Sequence, residues 1–583
     1  MASESRRLSI LSVQEVEELY GLPRFSRGDR DLYFDLSPAE RELVDGVFTF
    51  SVAVHLVLQL GYFKAKRQFF VYTLDAVTED AGHILRRYFP GRGMAEIKLP
   101  SKETRLKQQQ VILKLFDYRS CDAAAKEELA KKAQRVAMLS AQPLFILREV
   151  LQHLAHRRIV VPGYSYLQEM VVGRAVTGER LRITSLLGRA LTPEVKRQLE
   201  ALLEADEGMY RISLLKHEPK DFSYGELRKE VERRKFFQPL FEFGQTFLTS
   251  TGLSNESVKY YASLVQFYTV YKLQRMAAPT VGLYLLCYAS HRFQQINDNL
   301  IEAFIHLVDL YEKQAKIASE IAGAEAMAAA SASLQAAGQV LNLFLDPSIA
   351  DRTPFAQVRR QAFSLLDPKR MAQVSEYMRK IEFDKTAYEW SHYGKLHSKF
   401  KLNLRHLFSN LDFAALIEDA PLLEAVSFLQ EILRDGRPPR QISHADFPTG
   451  IVTKGIQRYM YTDAGKAKAR QLDVDRYEFL VYRLLRKALE AGNVFVRDSN
   501  EFRSFEDDLI RPERWKDKDA VLREIGAPVL LAPIEETLAA FHTELENKFE
   551  RVNQRIENGD NKHIKITGTG DQRRWSLIYP SEE

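Results

Sequence analysis

The chain has 583 residues, 83 Lys or Arg against 78 Asp or Glu, a formal net charge of +5, and 45% hydrophobic and 28% charged residues. This describes a folded chain of about four domains and excludes both a disordered polymer and a membrane-embedded one. Two cysteines, Cys121 and Cys287, are too few for a disulfide framework or a structural zinc site.

No apolar signal region follows Met1 to Arg7, and the longest apolar tract, Val281 to Ala289, falls far short of the ~18 residues that span a bilayer. A cytoplasmic protein without membrane partners is therefore expected. No Walker loop, dinucleotide-binding glycine motif or nucleophile elbow is present, so the sequence offers no self-contained active site. His153 and His156 lack nearby Cys or carboxylate ligands, which leaves them a poor metal pair.

In chain order, Ser12 with Glu15 and Ser37 with Glu40 read as capping boxes, the second with Pro38 at the first helical position. Val52, Ala53, Leu56, Val57 and Leu60 predict a third helix stopped at Gly61, completing a small helical module over residues 1–80. Lys64, Lys66, Arg67 and Gln68 follow it.

Residues 81–168 carry the strongest local charge, with nine Lys or Arg against three Asp or Glu between 81 and 120. Leu106, Val111, Ile112, Leu115 and Phe116 predict one helix there, and Leu129, Ala133, Val136 and Ala137 predict another. Two helices joined by a tight turn, the first with a basic and amide-rich outer face, match what helix-turn-helix DNA recognition needs; an ordinary solvated face is the alternative. Lys102, Arg105, Lys107, Gln108 and Gln109 are the expected DNA contacts, with Arg86, Arg87, Arg92, Arg157 and Arg158 as phosphate anchors. Ile159 to Gly163 suits a short strand or wing.

A third helical module is expected over residues 169–245, where Arg228, Lys229, Arg233, Arg234 and Lys235 alternate with Glu230 and Glu232 as a solvated face. Residues 246–345 turn to aromatic-rich helices, broken at Pro279, with an Ala-rich stretch from Ile321 to Ala337 suited to close packing or a dimer interface. A helical scaffold over 346–470 follows. The segment 471–583 holds an amphipathic helix from Tyr477 to Ala491, the acids Glu506, Asp507 and Asp508 read as a surface turn, and a strand pair formed by His563 to Thr567 and Trp575 to Tyr579.

Ile10-Leu11, Glu18 through Phe25, Arg158 to Tyr164 with Leu167 and Glu169, Arg292 to Ile301, Tyr477-Glu478, Gly492 to Val494 and Ser499 to Leu509 together resemble the Tn-three family of replicative transposases. The resemblance implies N-terminal modules that bind the transposon's terminal inverted repeats in double-stranded DNA, and middle helices that form a homodimer. It also implies an RNase H-like catalytic domain with a D-D-E acid set and Mg²⁺ beyond Pro580, so that no residue here is catalytic and no cofactor is expected in this chain. Gln109 departs from the family near a position that tends to be histidine. The fold is thus expected to be mainly α and multidomain, the DNA-binding and assembly portion of such a transposase. A truncated repressor or trans inhibitor, and a helical protein-binding scaffold, are the rival readings.

Overall fold

The computed structural model describes residues 9–577 apart from 207, 380–382, 416–420, 464–469, 511, 525–526, 558–563 and 569–571. The chain is mainly α-helical, and most of its described buried apolar side chains fall into three hydrophobic clusters within the first 502 residues.

After α1 (Val13–Tyr20) and α2 (Arg27–Tyr33), which bury no side chain, the first cluster draws on α3 (Pro38–Asp45), α4 (Phe50–Lys66), α5 (Thr78–Tyr88) and α6 (Lys102–Leu115). Both expected capping boxes form, and a third, Ser26 with Asp29, starts α2. In each, the serine oxygen accepts an orphan backbone N–H while the acid accepts that of the cap. Every residue of α4 from Ala53 to Phe63 is buried, so this helix is the cluster's axis. Gly61 does not stop it. The helix runs on to Lys66, and Arg67 closes it at φ 55°, whereas a Cβ at Gly61 would fall 2.3 Å from the Phe34 ring. The glycine is there to let Phe34 lie against the backbone. Lys64 bonds Glu40 at 2.7 Å, and Lys66 caps the carbonyls of Glu18 and Gly21 at 2.6 Å each, so these cations fasten α1 and α3 to α4.

In the second cluster, α7 (Ala123–Leu139) turns through Ser140, Ala141 and Gln142 into α8 (Pro143–His156). A continuous helical run follows: α9 (Tyr164–Tyr166), a π-helical turn (Leu167–Gly173) and α10 (Arg174–Ala190). Leu129, Ala133, Val136 and Ala137 point inward as their spacing predicts. The expected wing is reduced to one parallel bridge between Arg119 and Ile159.

The third cluster begins with α11 (Pro193–Ala201), a hairpin of β1 (Ala205–Asp206) and β2 (Met209–Tyr210), and α12 (Arg211–Leu215). Then come α13 (Tyr224–Thr251), α14 (Asn255–Phe267), α15 (Val270–Gln274) and α16 (Ala278–Leu345). At 68 residues, α16 is about 100 Å long. Pro279 lies in its first turn rather than breaking a helix, because a proline's missing N–H costs nothing there. Against α16 pack α17 (Phe355–Leu365), α18 (Pro368–Arg379), α19 (Lys385–Lys395) and α20 (His397–Ser409). Strand β3 (Phe413–Ala415) and helices α21 (Pro421–Arg434) and α22 (Lys454–Met460) follow, with a second hairpin of β4 (Tyr461–Asp463) and β5 (Arg470–Leu472). Helix α23 (Val474–Glu490) then leads into β6 (Val494–Val496), which pairs antiparallel with β3.

A separate unit comprises the chain from Arg503 onward. Among its described residues are α24 (Pro512–Trp515), α25 (Lys518–Glu524), α26 (Ile534–Glu557) and an antiparallel pair of β7 (Ile564–Thr567) with β8 (Arg574–Leu577). The expected strand pair forms there; its outer members His563, Ile578 and Tyr579 lie outside the described residues. No described helix is long and apolar enough to cross a membrane.

Candidate nucleic-acid interface

Helix α6 begins at Ser101, whose hydroxyl caps the N–H of Thr104 at 3.2 Å. The helix packs on α4, whereas α7 packs on α8 and α10, so the two helices expected to form one helix-turn-helix belong to different clusters. Leu106 and Val111, expected inside, are 50% and 40% exposed. Gln108, expected to face DNA, is buried instead. Its Nε2 donates to the Val52 carbonyl at 2.7 Å, and its Oε1 meets His55 Nδ1 at 2.6 Å. Burial depresses the His55 pKa, partly opposed by the Gln108 bond.

The remaining candidates divide by partner. Arg87 is held by Asp35, Arg92 by Glu96 at 2.7 Å, Lys107 by Glu103 at 2.8 Å, Arg157 by Glu128 at 2.9 Å and Arg158 by Asp117 at 3.0 Å. Arg86, Lys102 and Arg105 carry no ion pair among the described residues, Arg86 and Lys102 are exposed, and Gln109 is half-buried on the outer side of α6. Glu128 also holds Arg119 at 2.7 Å and His153 at 2.9 Å. Burial works to raise its pKa, but the bonds from Arg119, Arg157 and His153 outweigh it and bring the value down to about 2.

Within residues 81–168, the described helix pair joined by a short turn is α7 with α8. Its turn is fixed by Ser257, whose hydroxyl accepts the Ala141 N–H at 3.0 Å, and by Ser254, which bonds the Leu139 carbonyl. The outward stripe of α8 carries Phe145, Arg148, Gln152 and His156, all exposed. Sequence reading missed this face. Pro143 at the helix start and the 145, 148, 152 spacing were the available signals.

The basic run on α13 is more than a solvated face. Arg228 and Lys229 do pair outward, with Glu232 and Glu226, but Glu230 is wholly buried and Arg234 is 8% exposed. Arg234 donates to Asn297 at 2.7 Å, while Glu230 accepts from Asn299 at 2.9 Å and pairs with Arg233 at 2.7 Å and Arg292 at 3.5 Å. The neighbouring Asp298 accepts from the Ser499 hydroxyl and from the backbone N–H groups of Asn500 at 3.0 Å and Glu501 at 3.1 Å. Residues 292–301 and Ser499 to Glu501, drawn from two stretches that carry the resemblance, therefore meet in one buried polar junction.

Residues 10–173, ending on the last residue of the π-helical turn, match a family model described as a domain of unknown function, DUF4158. The chain is 21% identical over 493 residues to the transposase for transposon Tn21 from Escherichia coli, covering 80% of this chain and 46% of that protein. It is 22% identical over 440 residues to the transposase for transposon Tn1546 from Enterococcus faecium, covering 71% of this chain and 40% of that protein. The resemblance to Tn-three family transposases holds over most of the chain. The Tn-three-like chain spans less than half the length of either relative. Among its described residues no group of three or more His, Cys, Asp or Glu side chains is arranged to hold a metal ion.

Proposed function

We propose that this chain is the DNA-recognising and assembly portion of a Tn-three-type transposase, and that residues 1–245 bind the transposon's terminal inverted repeats. The observation that carries the reading is the similarity to two transposases along 80% and 71% of the chain. Groups able to reach phosphates and base edges support it, on α6 through exposed Lys102 and half-buried Arg105 and Gln109, and on α8 through exposed Arg148 and Gln152. Chemistry on the phosphodiester is assigned, by the same resemblance, to acids and Mg²⁺ outside these residues. The test is anisotropy with the element's own repeat. If ~6 phosphates are neutralised, log affinity falls against log salt with a slope of roughly −5. Equal affinity for repeat and scrambled duplex overturns specific recognition.

Assembly is assigned to α16. Its last third is exposed at Met327, Leu334 and Leu341, spaced by seven residues, with half-buried Ala337 and exposed Phe344 between them as an a/d seam, while Ala330 at the same spacing is buried within the chain. A homodimer through this seam, in the cytoplasm and on the nucleoid, is the expected state. Replacing Leu334 and Leu341 by Glu should shift the chain toward monomer in sedimentation.

A further inference from the structure

Between residues 257 and 297 there is no Asp or Glu, while Lys259, Lys272, Arg275 and Arg292 are all present. Part of this acid-free stretch surfaces where α14 ends and α15 begins. Thr269 caps α15, and Val270 and Leu273 are buried beneath it, so the turn is anchored on both sides. Yet Phe267 is 84% exposed and Tyr271 65%. Aromatic side chains of this size normally fill cores, and rigid exposed ones lose that gain. Tyr271 is steadied edge-on by Tyr210, with ring centroids 5.9 Å apart, and Lys272 sits 3.3 Å over the Tyr268 ring. Beneath them the ammonium of Lys216 caps α14, donating to the carbonyls of Val265 at 2.5 Å and Tyr268 at 3.1 Å. Arg275 is exposed and has no ion pair among the described residues. The result is two exposed aromatic surfaces beside cations, that of Tyr271 held against Tyr210.

We propose that Phe267 and Tyr271, flanked by Lys272 and Arg275, form a stacking surface for unpaired bases of single-stranded DNA. In a duplex the base faces are already covered by their neighbours. A single strand offers them, each can lie on an aromatic ring whatever its identity, and its phosphates fall to nearby cations. This surface lies outside residues 1–245 and takes a different form of DNA, so it goes beyond repeat recognition.

The experiment titrates the full chain with a fluorescently labelled oligothymidylate and, in parallel, with the repeat duplex. Replacing both Phe267 and Tyr271 by Ala should weaken oligonucleotide binding roughly 10-fold or more. Tyr271→Phe should keep it. Replacing Lys272 and Arg275 by Gln should reduce the steepness of the salt dependence by about 1.4, at ~0.7 per phosphate on a single strand. All these side chains are exposed, so thermal unfolding should stay at the wild-type midpoint. Failure of the wild-type chain to bind the oligonucleotide, or alanine variants that bind it as wild type does, overturns the proposal. Repeat-duplex affinity bears only on residues 1–245, which keeps the two failures apart.

Discussion

Arg405 on α20 grips Glu478 on α23 in a two-pronged pair, Nε to Oε1 and Nη2 to Oε2, both 2.6 Å, with the carboxylate wholly buried and the Tyr482 hydroxyl donating to it at 2.8 Å. Removing one member strands the other's charge in a poorly solvated place. Glu478→Ala should therefore destabilise the chain by about 3–5 kcal/mol in urea unfolding. A cost under ~1 kcal/mol would mean that the pair is solvated in practice.

Glu128 gives a pH dependence. Its carboxyl is held near pKa 2 against an ordinary value of 4.5, so the folded state binds its proton less readily than the unfolded one. The stability it contributes is complete above about pH 4.5 and is lost as pH falls toward 2. Glu128→Gln should lose stability at neutral pH and flatten that acid limb. An unchanged limb would place the titration on other carboxylates.

Gly61→Ala tests the close approach of Phe34. The new methyl meets the ring at 2.3 Å, and the ring is fully buried with no room to retreat. A loss of about 1–3 kcal/mol is expected by calorimetry or urea titration. A neutral result would show that Phe34 can repack.

Adjacent glutamines should part company. Gln108→Ala should cost about 1–3 kcal/mol of stability, because it removes the amide's buried bonds to the Val52 carbonyl and to His55 inside the first cluster. Gln109→Ala, Arg148→Ala and Gln152→Ala should leave stability within about 0.5 kcal/mol and flatten the preference for repeat over scrambled duplex. Unchanged preference in all three would move recognition off α6 and α8.

Supplied in trans to a complete transposase on a matching element, the chain should lower the count of transposition events, since it would occupy repeats and enter mixed dimers. Undiminished transposition despite good expression would count against both roles.

What the sequence disclosed was local. The boxes at Ser12 and Ser37 and the inward face of α7 depend on neighbours three or four residues away, and they could be read directly. Ser26 with Asp29 is equally local, but its short helix has no apolar stripe to draw attention. Gln108 was assigned outward because it is polar, although it stands four residues before the buried Ile112 and so shares its face. The fates of Arg87, Arg157 and Arg158 depend on carboxylates 52, 29 and 41 positions away, which no pattern along the chain reveals. Cations expected to be available for phosphate turned out to be committed within the fold for that reason.

The Asp298 junction also sets an order of events during synthesis. Its acceptor sites on α16 are filled by residues about 201 positions later in the chain. At ~5–20 residues per second, the ribosome needs about 10–40 s to deliver them. For that interval a nascent α16 holds a carboxylate that draws water into its packing face, and the body around it stays only loosely consolidated. Completion of the first 502 residues thus waits for the short turn at Ser499 to arrive.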